Sequence, residues 1–311
     1  MKAIRTFYQC LLTAGKSFAN DNAFKLSASL SYYTIFALGP VLLLMMSLAG
    51  IFFGKEAVQG KIFGQLRGLL GNSAAYQIQS IISNIHKSDQ TFAGTIVGLV
   101  ILVIGATGVF TEIQSSINYI WSIRAKPEKG WLKLLLNRLL SFSLVIGLSF
   151  VLMVALIVNA LMDLLNAEIA NFFPGLAIIS FYTFNLALIF SAITLLFAVI
   201  FHVLPDARIS WRDSFAGAAF TATLFLVGKL LITFYIGKAD FGFTYGAAAS
   251  IIIILVWVYY SSLILYFGAA FTRAFALYAG HGIQPDTTAV FIIKRESKEI
   301  AVNDTYGPPI T

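Results

Sequence analysis

Residues 245–278, YGAAASIIIILVWVYYSSLILYFGAAFTRAFALY, carry a single charged side chain, Arg273. A helix rises about 1.5 Å per residue, so about 20 apolar residues cross a hydrocarbon layer roughly 30 Å thick. Runs of this length recur along the chain, and one soluble core could not hide them all. With 59% hydrophobic and 11% charged residues, the composition lies outside the range of soluble domains. The fold class this predicts is all-α, a polytopic membrane helix bundle.

Six transmembrane helices are expected, over Leu26–Phe53, Phe92–Trp121, Leu134–Leu165, Phe172–Leu204, Ser214–Ile236 and Tyr245–Tyr278. Pro40, inside the first, removes a backbone donor and predicts a kink that could serve as a hinge. Ahead of the first span, residues 1–25 place Ile4, Phe7, Tyr8, Leu11 and Leu12 opposite Lys2, Arg5, Gln9 and Lys16, which predicts an amphipathic N-terminal interfacial helix. The six-span domain covers 26–279. Within it, 55–90 reads as short amphipathic helices on the outer surface, and 280–311 reads as a mobile cytoplasmic tail. No internal repeat stands out.

Fifteen of the 21 Lys and Arg fall before the first span, in the 124–138 and 206–213 connections, and from Arg273 onward. Five fall on the other side, and the remaining one is Lys229. The positive-inside rule then puts both termini in the cytoplasm. Bases spread this thinly beside apolar spans meet lipid headgroups rather than nucleic acid. The lone Cys10 forms no intramolecular disulfide, and no cluster of metal ligands, Walker loop, HExxH or GxSxG is present. No cofactor and no enzymatic activity are expected.

Charges inside the spans are the remaining signals. On a helical net, Gly94, Gly98, Gly105, Gly108 and Glu112 fall within about 40° of one line. Small residues let membrane helices approach, so this stripe predicts a packing face with Glu112 turned into the bundle. Glu112 could be a proton or cation site, a headgroup contact, or a carboxylate paired near the interface. Lys229 shares its face with Ala218, Ala222 and Thr233 and sits seven residues, about 10 Å, from the outer end of its span. It is either a snorkelling lysine or a cation facing an anionic group such as phosphate. Its depth makes Asp163 a better partner than Glu112.

Several stretches together carry a resemblance: AFKLSASLSYYTIFALGPVLLL, GVFTEIQSSINYIW, LPDARISWRD, GKLLITFYIG and the 245–278 run quoted above. This ordered set resembles the YihY/BrkB family of bacterial inner-membrane proteins over about residues 20–280. The resemblance implies a multi-pass protein of the bacterial inner membrane with six spans. Members have been labelled ribonuclease BN, but this chain lacks a histidine-rich metal motif, and the label reads as a misannotation. The resemblance also implies that the lysine of the GK pair, Lys229, follows the family pattern. Family members often have an acid in GAEFT, where this chain has Gly268, Ala269, Ala270, Phe271 and Thr272.

The function these features suggest is a transporter or a lipid or envelope-precursor flippase. Its path would be lined by Tyr32, Tyr33, Glu112, Lys229 and Asp163, and its partners would be membrane lipids, an anionic lipid or envelope precursor among them. The alternative is a structural or scaffolding membrane protein whose buried charges only fix helix packing.

Overall fold

A computed structural model describes residues 2–37, 76, 79, 108–126, 174–238, 249–279 and 282–294. Its helices are α1 (Lys2–Asn20), α2 (23–37), α3 (108–120), α4 (Pro174–Val203), α5 (Trp211–Lys238) and α6 (Ala249–Ala279). Among the described residues three helical stretches, Leu186–Val203, Trp211–Ile236 and Ile251–Tyr278, are long and apolar enough to cross a membrane. They fall in the last three runs singled out by hydropathy. Of the 55–90 segment, only Tyr76 and Gln79 are described, both helical.

α5 lies between α4 and α6, and α1 packs along α6. α5 and α6 run antiparallel in one continuous register. Its centre is a five-residue word that occurs twice, GAAFT at 217–221 on α5 and again at 268–272 on α6. The two copies meet each other. An added Cβ on Gly217 would lie 1.9 Å from Thr272 Oγ1, and one on Gly268 would lie 2.0 Å from Thr221 Oγ1. Each glycine is therefore a socket for the other copy's threonine. Each threonine hydroxyl donates to the glycine carbonyl of its own copy at 2.7 Å, so the buried hydroxyl is satisfied inside its own helix. Phe220 and Phe271 stack at 3.8 Å between ring centroids. The repeat is too short to register as internal symmetry in the sequence, and only the antiparallel pairing gives it meaning. Farther along the same register, Gly228 admits Tyr260 and Ile264, and Ile232, Ile236, Ile253 and Trp257 close that end.

α1 is amphipathic, as its spacing predicts, and its inner face is used. Phe7 meets Phe220 and Phe271 edge-on, and Phe18 meets Phe267. Cys10 and Ala14 are fully buried, and burial pushes the Cys10 thiol up, so it behaves as a small apolar residue. The helix ends at Asn22, whose φ of 52° is a left-handed conformation that asparagine tolerates. The Asn22 carbonyl then accepts from Lys25 and Leu26 N–H, starting α2.

The segment after α6 departs from expectation. The sequence places the start of a mobile tail at 280, yet residues 282–294 are tied into the fold. Gly282, at φ 69°, ends α6 by donating its N–H to Ala276 O. Strand β3 (Gln284–Pro285) then pairs antiparallel with β2 (Ala207–Arg208), and β4 (Ala289–Phe291) pairs with β1 (Ile123–Ala125). Strands of two or three residues carry no usable hydropathy period, which is why the sequence hides them. Together they lace the connections after α3 and α4 to the segment after α6. Arg124, Lys126, Arg208, Arg212, Arg273 and Lys294 gather at this end, called here the basic end.

Candidate functional site beside helix α3

Helix α3 reads GVFTEIQSSINYI and puts polar groups on two of its three faces. Ile113, Ile117 and Ile120 form the apolar face, which is buried with Trp121. A second face carries Glu112 and Ser116, one turn apart. Ser116 is buried beside the hydroxyl of Tyr266 on α6, and Glu112 lies close enough to act on that hydroxyl through its charge. Neither hydroxyl has a hydrogen-bond partner among the described residues. The third face, Thr111, Gln114, Ser115 and Asn118, opens onto a cavity of about 550 Å³. Tyr119, Ile123, Arg124, Ala125, Asp206 and Ile292 complete the described lining. A polar helix face is costly against lipid and is accommodated where it lines a cavity.

The basic end holds α3 firmly in place. Asn118 Nδ2 donates to Asp206 Oδ2 at 2.8 Å, and Asp206 N–H donates back to Asn118 Oδ1 at 2.9 Å. This two-point pairing fixes the turn between α4 and β2. Trp121 Nε1 donates to Ala269 O at 2.9 Å, and Arg273 Nη1 donates to Ile120 O at 2.7 Å, so α3 and α6 exchange bonds across the bundle. Asp21, at the end of α1, accepts from Ser17 and from Lys294. The Lys294 ammonium also lies 4.3 Å from the centre of the Tyr119 ring. Burial pushes Lys294 below the ordinary lysine value; Asp21 opposes this, and Arg273 adds to it. Arg208 pairs with Asp286 at 2.9 Å. His202, in the last turn of α4, stacks on Trp211 at 3.8 Å.

The residues that the sequence singles out are only partly brought together. Gly108 packs on Tyr33, whose ring would lie 3.2 Å from a Cβ there, so the last glycine of the stripe does serve helix approach. Tyr32 and Tyr33 are exposed on α2 and meet edge-on. Glu112 is half-buried toward α6. Lys229 is half-buried on α5, beyond Gly228 and its contact with Tyr260, whereas the Glu112 cluster sits at the level of Tyr266. Six residues of α6 separate these levels, about 9 Å of rise, so the structure does not join Lys229 to Glu112. Asp163, Pro40, Gly94, Gly98 and Gly105 lie outside the described residues. Sequence reasoning missed Tyr266, Arg124 and Asp206. Tyr266 sits in an aromatic-rich span that gives it no distinction, and the other two lie in connections where charge reads only as topology. Among the described residues, no group of three His, Cys, Asp or Glu could hold a metal ion.

Residues 14–289 match the family model described as "Virulence factor BrkB". The chain belongs to the BrkB family. Similar proteins include UPF0761 membrane proteins of three bacteria. That of Alcanivorax borkumensis is 28% identical over 90% of this chain and 62% of its own length. The Pseudomonas aeruginosa protein is 30% identical over 81% of this chain and 59% of its own length. The Vibrio campbellii protein is 27% identical over 86% and 81%. The chain thus spans about three fifths of the first two relatives. No solved structure matches it. The relatives' name and the apolar helices agree that the chain is an integral membrane protein.

Proposed function

We propose that this membrane protein moves an amphiphile, a phospholipid or lipid-linked envelope precursor, between the leaflets of the bacterial inner membrane. The bundle has six spans and both termini in the cytoplasm, so the basic end faces inward. The observation that carries the reading is the cavity beside α3. It is large enough for a headgroup, since ligand pockets run to about 300–1,000 Å³, and it combines polar side chains with the apolar rim of Ile123 and Ile292. The protein moves its substrate without chemical change and is not an enzyme.

Leaflet exchange of acyl-labelled fluorescent phospholipids in reconstituted vesicles tests this. The chain should accelerate exchange over protein-free vesicles, and Ser115→Trp, which fills the cavity, should remove most of the gain. Lys229→Met asks whether the lysine lies on the path. No acceleration with wild-type protein of native melting temperature would overturn the reading. A scaffold is the second reading, favoured by the paired GAAFT sockets and the tightly bonded basic end. It predicts no exchange activity and an effect of Lys229→Met on melting alone.

A further inference from the structure

Two opposite charges line the cavity without neutralising each other. Arg124 comes from β1, after α3, and Asp206 from the turn after α4. Among the described residues, Arg124 makes no ion pair, and the charged partner of Arg208 is Asp286 rather than Asp206. Asp206 is instead gripped by the neutral Asn118, which fixes Oδ2 and the backbone N–H and leaves Oδ1 without a bond among the described residues. An exposed arginine and a carboxylate that lines the same space ordinarily close on one another. Here the amide of Asn118 pins the carboxylate to α3, and Arg124 is fixed on a strand paired with β4.

We propose that this cavity takes a zwitterionic phosphoethanolamine group, with Arg124 receiving the phosphate and Asp206 the primary ammonium; this rests on the amphiphile reading above and names its headgroup. A guanidinium offers a planar fork of donors to phosphate oxygens. A carboxylate with an open oxygen accepts from a primary ammonium. A headgroup with phosphate alone would satisfy Arg124 but set its charge against Asp206, so the carboxylate discriminates by repulsion. Thr111, Gln114 and Ser115 supply neutral hydrogen-bonding groups farther along the helix.

The test is equilibrium binding, which does not require movement. Delipidated full-length protein in a neutral detergent is given equimolar dioleoyl phosphatidylethanolamine and dioleoyl phosphatidylglycerol, and the bound ratio is read by mass spectrometry of the intact complex. The expected preference is for ethanolamine by about tenfold, equivalent to about 1.4 kcal/mol. Asp206→Asn keeps an oxygen for Asn118 and should bring the ratio near one by admitting glycerol lipid. Arg124→Gln should weaken both lipids, and Ser115→Trp, on a different element, should exclude both if Asp206→Asn fails to fold. Free phosphoethanolamine is the last arm. Displacement of lipid by it at equal concentration assigns the site to a soluble headgroup compound, and no displacement assigns it to the lipid. Equal binding of both lipids by the wild type, or a ratio that Asp206→Asn leaves unchanged, would overturn the proposal. Preference without leaflet exchange would retain the site and remove the passage reading, and exchange without preference would do the reverse.

Discussion

Replacing Gly268 with alanine tests the paired sockets directly. The new Cβ would stand 2.0 Å from Thr221 Oγ1, 2.7 Å from Cγ2 and 2.9 Å from Cβ. Rotation about the threonine side-chain bond can carry Oγ1 or Cγ2 away but not both, at the cost of the 2.7 Å bond to Gly217 O. It cannot move Cβ. Contacts closer than 3.0 Å are essentially never seen for a real Cβ, so α5 and α6 must separate locally. Forcing extra carbon into a packed interface costs about 1–3 kcal/mol. The gain in helix propensity from Gly to Ala, about 0.5–1 kcal/mol, offsets only part. Thermal unfolding of detergent-solubilised protein, followed by tryptophan fluorescence, should show a melting temperature lowered by several degrees.

Thr221→Ala in the Gly268→Ala background removes the two nearest atoms, so the double variant should melt well above the additive expectation, with a coupling of about 1–2 kcal/mol. Gly217→Ala with Thr272→Ala should behave in the same way, because the second socket repeats the first. Gly15→Ala is the control. It lies inside α1 with nothing within 4 Å of an added Cβ, and it should stabilise by about 0.5–1 kcal/mol. An unchanged melting temperature for Gly268→Ala, or no rescue by Thr221→Ala, refutes the socket geometry.

Further outcomes follow from the basic end. Trp121→Phe keeps the buried ring but loses the Nε1–H bond to Ala269 O, and should cost about 1 kcal/mol by the same melting measurement. Asn118→Ala removes both bonds to Asp206 and should speed hydrogen exchange at the Asp206 amide and along β2 by about tenfold or more, without equal change in α6. Because burial holds Lys294 below its unfolded value, the folded state releases its proton first as pH rises. Stability should therefore increase with pH across the alkaline window between those two values, and the contribution is lost as pH falls through the folded one. Lys294→Met should flatten that increase in a pH series of melting temperatures.

The last three apolar runs were legible because each is long and carries at most one charged residue, and a helix is the form that satisfies its own backbone in lipid. α4, α5 and α6 accordingly start and stop within a few residues of the expected limits. α1 was legible from its period alone. The α5–α6 sockets were not, although both copies of GAAFT stand in the sequence. Glycine and threonine four apart say only that a helix can approach something, and the partner is fixed by antiparallel register. The site shows the same division. Glu112 and Gly108 announced themselves as exceptions inside a span and do face neighbouring helices. Arg124 and Asp206 gave no such signal, because a charge in a connection is unremarkable until strand pairing and the Asn118 amide bring two connections to one cavity.

The doubled socket also restricts how this protein can move. One pin in one hole leaves two rods free to swivel. Two pins set in opposite directions, with a pin and a hole four residues apart on each rod, stop rotation and sliding together, and neither helix can shift without emptying both holes. α5 and α6 therefore form a single rigid bracket, with α1 bolted along its flank through Phe7 and Phe18. On the transport reading proposed above, any working stroke would have to leave this bracket intact.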